Sequence, residues 1–391
     1  MDLITTTEDL ARFCALAHDA PYVTIDTEFL RERTYYAKLC LLQMALPGDD
    51  GPETGPAVLV DPLAKGLSLE PFYTLLRDTS TVKVLHAARQ DLEIFLIEGR
   101  TLPQPLFDTQ IAAMVCGFGD QIGYETLVRK LTRGSVDKTS RFTDWSRRPL
   151  SDAQLGYALA DVTHLRVIYE KLAAKLEETG RASWVAEELA TLDDPATYIT
   201  LPEDAWKRVK TRNDSGRFLA IVRELASFRE SHAQLNNVPR SRIYKDDALL
   251  ELASLKPQNA DDLGRTRLLL REARKGEIAQ GILDAVGRGL ACPPEKFPKP
   301  ETGRENLQVN PALADLLRVL LKAKSDATGV ASKLIASAAD LDALAAGARD
   351  VPALAGWRAV VFGHDALSLC NGEVGLAVRG ERVEVIALPQ S

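Results

Sequence analysis

Residues 22–33 read YVTIDTEFLRER, an apolar and β-branched run interrupted by Asp26 and Glu28. The run has the composition of a buried strand. On a strand, residues two apart point the same way, so the two carboxylates stand side by side. A carboxylate taken out of water costs several kcal/mol unless something compensates it. Two adjacent ones resist joint ionisation unless a cation lies between them. An isolated D-x-E pair is satisfied by a strand end or by an arginine such as Arg31 or Arg33. A cation requires further acids to converge on the pair.

The bulk composition narrows the classes. The chain has 391 residues, 46% hydrophobic and 26% charged, enough for two or three domains each with its own core. The N-terminal MDLITTTEDLARF lacks a basic region followed by an apolar one, and no uninterrupted apolar stretch approaches a membrane span, so a soluble, non-exported protein is expected. Cys14, Cys40, Cys116, Cys292 and Cys370 are odd in number, scattered and free of C-x-x-C spacing. That argues against a disulfide framework and a zinc site and points to a reducing cytoplasm. Nothing signals an obligate protein partner. The net charge is −7, yet residues 205–290 carry 17 Lys plus Arg against 11 Asp plus Glu. A basic middle within an acidic remainder suggests a polyanion, although a solvated helical surface gives the same balance.

Turn residues divide the first 110 positions into strand-like runs: YVTIDTEFL, KLCLLQMAL, AVLVDP, VKVLH and PLFDT. The first three are close enough for an antiparallel meander, and ARQDLEIFLIEG between the last two reads as a helix. The expectation is an α/β domain over 1–200, a mixed sheet flanked by helices. Ser151 and Gln154 form S-x-x-Q after Pro149, and apolar residues then recur from Leu155 to Leu176 before Gly180. That spacing predicts one long capped helix. Pro195 and Pro202 mark a linker, and a helical domain is expected over 205–290. ACPPEKFPKPETGREN marks a second boundary before a last segment, 305–391, of helices closing in a hairpin with turns at Asn371-Gly372 and Arg379-Gly380.

Two further stretches bear on Asp26 and Glu28. Asp91, in VKVLHAARQDLEIFL, falls in the first turns of a helix just past a strand. Tyr157 and Asp161, four apart in GYALADV, share one helix face among small residues, suited to lying against the sheet. Taken singly, Asp91 is a helix-start charge and Tyr157 a core aromatic. Together these residues resemble the tyrosine-bearing branch of the DEDD 3′ to 5′ exonucleases, and most closely its ribonuclease D members. IDTEFLRERTYYAKLCLLQ is similar to that family's first motif, HAARQDLEIF to its second and YALADV to its Y-x-x-x-D third, while FDTQIAA, GYETLV and DKTSRFTDWSRRPLS extend the likeness over residues 1–195. FRESHAQLNNVPRSRIYKDDALLELA resembles the HRDC domain, and 305–391 would correspond to a second, divergent HRDC-like domain.

The resemblance implies an RNase H-like exonuclease fold and two divalent ions, Mg²⁺ or Mn²⁺, held by oxygen ligands. In the family's manner Asp26 would bridge the ions, Glu28 and Asp161 would serve the one carrying the nucleophilic water, and Asp91 the second. Tyr157 would orient the water, being a poor base at its ordinary pKa. His86 and His164 do not occupy the family's histidine position. Phe29 and Leu30 would stack on the terminal bases. Lys138, Arg141, Arg147 and Arg148 with Trp145 would make a basic loop for phosphates, and Gln43 and Gln90 would add ribose or phosphate contacts. The partner implied is RNA with an accessible 3′ end, such as a transfer RNA precursor. A DNA-directed exonuclease of the same fold and an RNA-binding scaffold with a silent site stay open as alternatives.

Overall fold

The computed structural model describes residues 3–132, 134–136, 143–299 and 308–389. The chain forms two compact units, one of Met1–Glu28, Leu39–Thr197 and Asn306–Ser391, the other of Phe29–Lys38 and Tyr198–Glu305.

The first unit is built on a six-stranded sheet: β1 (Leu3–Ile4), β2 (Tyr22–Leu30), β3 (Lys38–Ala45), β4 (Ala57–Val60), β5 (Val82–Leu85) and β6 (Leu106–Asp108), in the order β1-β4-β3-β2-β5-β6. β3 runs antiparallel to β4, with Leu42 opposite Val60, whereas β2, β5 and β6 are parallel neighbours. The mixed sheet is therefore present, with β2 and its two carboxylates near the middle. β1, two residues long and parallel to β4, is too short to leave a periodic signal. Helices α1 (Thr7–His18), α2 (Glu70–Arg77), α3 (Arg89–Gly99), α4 (Thr109–Val115), α5 (Tyr124–Leu131), α6 (Asp152–Thr179) and α7 (Ala182–Leu189) flank it.

α6 is the long helix expected from the spacing. Ser151 and Gln154 form its capping box, and Gly180 closes it in the left-handed conformation. Its middle is tied to the β3–β4 connection by Arg166, which is 2% exposed and donates to the carbonyls of Leu46 (2.7 Å) and Gly55 (2.8 Å). The buried cation is tolerated because Nε, Nη1 and Nη2 each find a carbonyl acceptor.

The C-terminal segment belongs to the same unit. Its helices α13 (Pro311–Thr328), α14 (Ser332–Ile335), α15 (Ala338–Ala345), α16 (Gly356–Arg358) and α17 (His364–Cys370) surround a core of Leu317, Leu320, Ile335, Leu344 and Phe362. It docks on α7, where Trp184 and Trp357 stack with centroids 4.8 Å apart. Glu188 accepts from Trp357 Nε1 (2.9 Å) and pairs with Arg358 (2.6 Å). The closing hairpin, β7 (Val374–Arg379) and β8 (Arg382–Ala387), turns at Gly380 as expected. Asn371-Gly372 is not a hairpin turn. Asn371 is the C-cap of α17 and Gly372, at φ +74°, comes next, because the apolar LSLC run is the last turn of a helix. Four alternating residues fit either period.

The second unit is helical: α8 (Gly216–Leu235), α9 (Arg240–Ile243), α10 (Asp246–Leu255), α11 (Ala260–Gly264) and α12 (Gly276–Ala291) close around Ile221, Leu225, Leu249, Leu252 and Ile282. Among the described residues, no helix of either unit is long and apolar enough to cross a membrane.

Candidate active site

β2 delivers Asp26 and Glu28 to the same face, as their spacing requires, and α6 brings Asp161 to meet them. One carboxylate oxygen from each of Asp26, Glu28 and Asp161 lies within 4.8 Å of the others. Asp26 and Glu28 are half-buried and Asp161 is buried. Burial raises the Asp26 carboxyl well above the usual carboxylate range, and the negative charges of Asp161, Asp91 and Glu28 push the same way. Three hard oxygen donors whose mutual repulsion disfavours ionisation match a divalent cation such as Mg²⁺ or Mn²⁺.

Asp91 is near enough to act on Asp26 electrostatically but stands outside this three-ligand group. It sits in the first turn of α3 and accepts a hydrogen bond from the Thr27 hydroxyl. Burial pushes its carboxyl up to about 7. Thr27 lies on the face of β2 opposite Asp26 and Glu28, so one strand bears on all four acids.

Tyr157 stands one helical turn before Asp161 and hydrogen-bonds to its side chain. Burial, then the charges of Asp161, Glu28 and Asp26, raise the Tyr157 hydroxyl far above the ordinary tyrosine value. It therefore stays protonated and presents a donor. Trp145 packs nearby, with ring centroids 6.1 Å apart.

Hydroxyls that no motif announced hold α6 in place. Thr24, on the same face of β2 as Asp26, donates to the Val162 carbonyl (2.8 Å). Tyr124 of α5 donates to the carbonyl of Asp161 itself. Asp108 anchors the turn before α3: its carboxylate accepts from the N–H groups of Ala87 (3.2 Å) and Ala88 (2.8 Å), and Ala87 is in the left-handed region at φ +56°. These partners lie 138, 37 and about 20 residues away in sequence, beyond the reach of local pattern. The only sequence signal was that Tyr124 and Asp108 fall within GYETLV and FDTQIAA.

The expected RNA contacts divide. Phe29 and Leu30 are half-buried at the end of β2, and Gln90 is exposed in the first turn of α3. Gln43 is fully buried in β3, and neither amide atom has a hydrogen-bond partner, which removes it as an RNA contact. Trp145 is 2% exposed and forms a wall behind Tyr157, not a surface for bases. Arg147 is exposed, but Arg148 is committed to Asp61 through Nε (2.7 Å) and Nη2 (2.6 Å) and to the Cys40 carbonyl (2.6 Å). Lys138 and Arg141 lie outside the described residues. His86 and His164 are partly buried, and burial lowers both imidazoles.

Residues 1–177 match the family model described as a 3′-5′ exonuclease, and residues 218–286 match the HRDC domain. The ribonuclease D of Jannaschia sp. (strain CCS1) is 61% identical over 383 residues, 98% of each chain. This chain belongs to the ribonuclease D family. The ribonuclease D of Granulibacter bethesdensis is 50% identical over 386 residues, 98% of this chain and 96% of that one. The crystal structure of Escherichia coli RNase D, an exoribonuclease involved in structured RNA processing, superposes with a TM-score of 0.81 at 28% identity, covering 95% of this chain and 98% of that one. Family membership and the exonuclease domain make the chain a 3′ to 5′ exoribonuclease. Its ribonuclease D architecture combines the exonuclease sheet with a helical HRDC region and a terminal two-stranded sheet.

Proposed function

We propose that this ribonuclease D removes nucleotides one at a time from the 3′ ends of structured RNA, transfer RNA precursors among them, as nucleoside 5′-monophosphates. The observation that carries the reading is the trio Asp26, Glu28 and Asp161 beside Tyr157. Asp26, Glu28 and Asp161 would hold one divalent cation, and Asp91, kept by Thr27 outside the trio, would serve a second together with Asp26. Such ions, when bound, supply the Lewis acidity that makes water nucleophilic at neutral pH and stabilise charge on the departing oxygen.

The protein's own groups do the rest. The Tyr157 hydroxyl, its one proton donated to Asp161, would accept from the attacking water and so orient it toward phosphorus. The new P–O bond forms as the bond to the 3′ oxygen of the preceding nucleotide breaks; the attacking water gives up a proton to solvent, and the departing oxygen takes one up from solvent. Phe29 and Leu30 would meet the last bases, Gln90 the backbone, and Lys138, Arg141 and Arg147 the phosphates beyond. In the proposed division, 1–200 carries the chemistry, 205–290 is a basic RNA-gripping HRDC domain, and 305–391 is a divergent HRDC-like domain. Five scattered cysteines, four of them buried, suit a reducing cytoplasm.

The test compares 3′-tailed RNA with matched DNA in Mg²⁺, in Mn²⁺ and in EDTA. Mononucleotides should appear from RNA with either ion and from nothing in EDTA. Digestion of DNA as fast as RNA would replace the substrate assignment, and unabated cleavage in EDTA would remove the metal site.

A further inference from the structure

The ten residues Phe29–Lys38, from the last two of the carboxylate-bearing strand to the first of β3, belong to the helical unit and not to the sheet's own unit. Tyr35 is the centre of their attachment. Its hydroxyl donates to Glu230 and accepts from Gln234 Nε2 (3.1 Å) and Arg240 Nη2 (2.9 Å). The Arg240 guanidinium lies 4.7 Å from the centre of the Tyr35 ring. The backbone N–H groups of Tyr35 and Tyr36 both donate to Asn237 Oδ1, at 3.1 and 3.0 Å. Asn237, just past the end of α8, is in the left-handed region at φ +49°, a conformation that asparagine tolerates. Glu230 is 1% exposed and is paired by Arg240 through Nη2 (2.6 Å) and Nε.

These contacts are directional and internally satisfied, which separates them from an RNA grip. A grip needs cations facing solvent, whereas Arg240 is committed to Glu230 and Tyr35. The sheet leaves a task for them. β5 pairs with β2 only over Tyr22–Thr24, so Asp26, Glu28 and the rest of β2 run past the end of that ladder. A strand end that lacks a neighbour on one side depends for its order on the anchoring of the residues beyond it. Glu28 precedes Tyr35 by seven residues.

We propose that Tyr35, Asn237 and the Glu230–Arg240 pair are positioning residues for the hydrolytic reaction. They anchor the chain leaving β2 and thereby set where Glu28 stands relative to Asp26 and Asp161. The helical unit then contributes to turnover itself, in addition to any part in holding RNA. The inference rests on the assignment of Glu28 as a metal ligand.

The experiment uses the full chain, a short single-stranded oligoribonucleotide and Mn²⁺, with kcat, KM and Mn²⁺ affinity by calorimetry measured separately. Tyr35→Phe deletes three hydrogen bonds and keeps the ring. Asn237→Gly removes the acceptor without straining the left-handed backbone, and Asn237→Asp restores an acceptor oxygen. Tyr35→Phe and Asn237→Gly are each expected to lower kcat about tenfold, in line with what small displacements of reacting groups cost. They should weaken Mn²⁺ binding several-fold and leave KM near wild type, with Asn237→Asp recovering most of both losses. Wild-type kcat and Mn²⁺ affinity in folded Tyr35→Phe and Asn237→Gly would overturn the proposal, and so would a rise in KM alone, which assigns the helices to gripping only. If wild-type protein binds no Mn²⁺ and cleaves in EDTA, it is the metal assignment that fails.

Discussion

Asp26→Asn is expected to lower turnover on 3′-tailed RNA by about a thousandfold or more while leaving RNA affinity within about twofold. The magnitude reflects the several kcal/mol that a metal site supplies to the transition state, each 1.4 kcal/mol being tenfold in rate. Asp26 is the acid on which the charges of Asp161, Asp91 and Glu28 converge, so its removal dismantles the ligand set from the centre. The amide is nearly isosteric and the buried β2 residues on either side, Val23, Thr24, Ile25 and Thr27, are untouched, so the fold should persist. Single-turnover kinetics with saturating enzyme separates the chemical step from binding. Turnover within tenfold of wild type would mean that the cluster is not where hydrolysis occurs.

The second large effect concerns stability without metal. Asp91 has its folded pKa pushed up to about 7, against an ordinary value of 3.8. A carboxyl raised on folding binds its proton more tightly in the native state. Its contribution is therefore intact below the unfolded value and is lost as pH climbs from about 4 to about 7. Asp91→Asn removes that penalty and keeps an oxygen to accept from Thr27. In EDTA the variant should exceed wild type in stability by on the order of 2–4 kcal/mol at pH 8, with the difference vanishing near pH 4. Saturating Mn²⁺ should stabilise wild type by more than it stabilises the variant. Denaturant melts of both proteins across this pH range make the measurement, and a variant no more stable than wild type at pH 8 would refute the assigned strain.

How far the site was legible depended on whether its geometry was local. Asp26 and Glu28 share a face because strands repeat every two residues, and Tyr157 stands over Asp161 because helices repeat every three to four; both are consequences of backbone alone. The capping box at Ser151 likewise fixed where α6 begins. Contacts between distant segments were not readable. Nothing in VTIDTEF says that the Thr24 hydroxyl meets Val162, that Thr27 holds Asp91, or that Asp91 stands apart from the other three acids. Polar type was a poor guide to exposure: Gln43 reads as a surface amide yet is sealed within β3, and Arg148 reads as a free cation yet is spent on Asp61. The short apolar run before Asn371 carried two periods at once, and only packing against the C-terminal core chose the helix.

The fold shows a similar division. Strand-like runs with turn residues between them located β2 to β6, whereas the partnership of Phe29–Lys38 with the helical unit left no mark on composition. A seven-residue connection between two strands, 31–37, reads as a loop. Its attachment is a matter of one tyrosine hydroxyl and one asparagine oxygen finding partners about 200 residues away.

A crystal soaked in Mn²⁺ and measured at the manganese absorption edge tests the central claim most directly. Anomalous density is predicted among the carboxylates of Asp26, Glu28 and Asp161, with those oxygens close enough to ligate it. Density elsewhere in the molecule, with these three carboxylates unliganded and turned apart, would contradict the account.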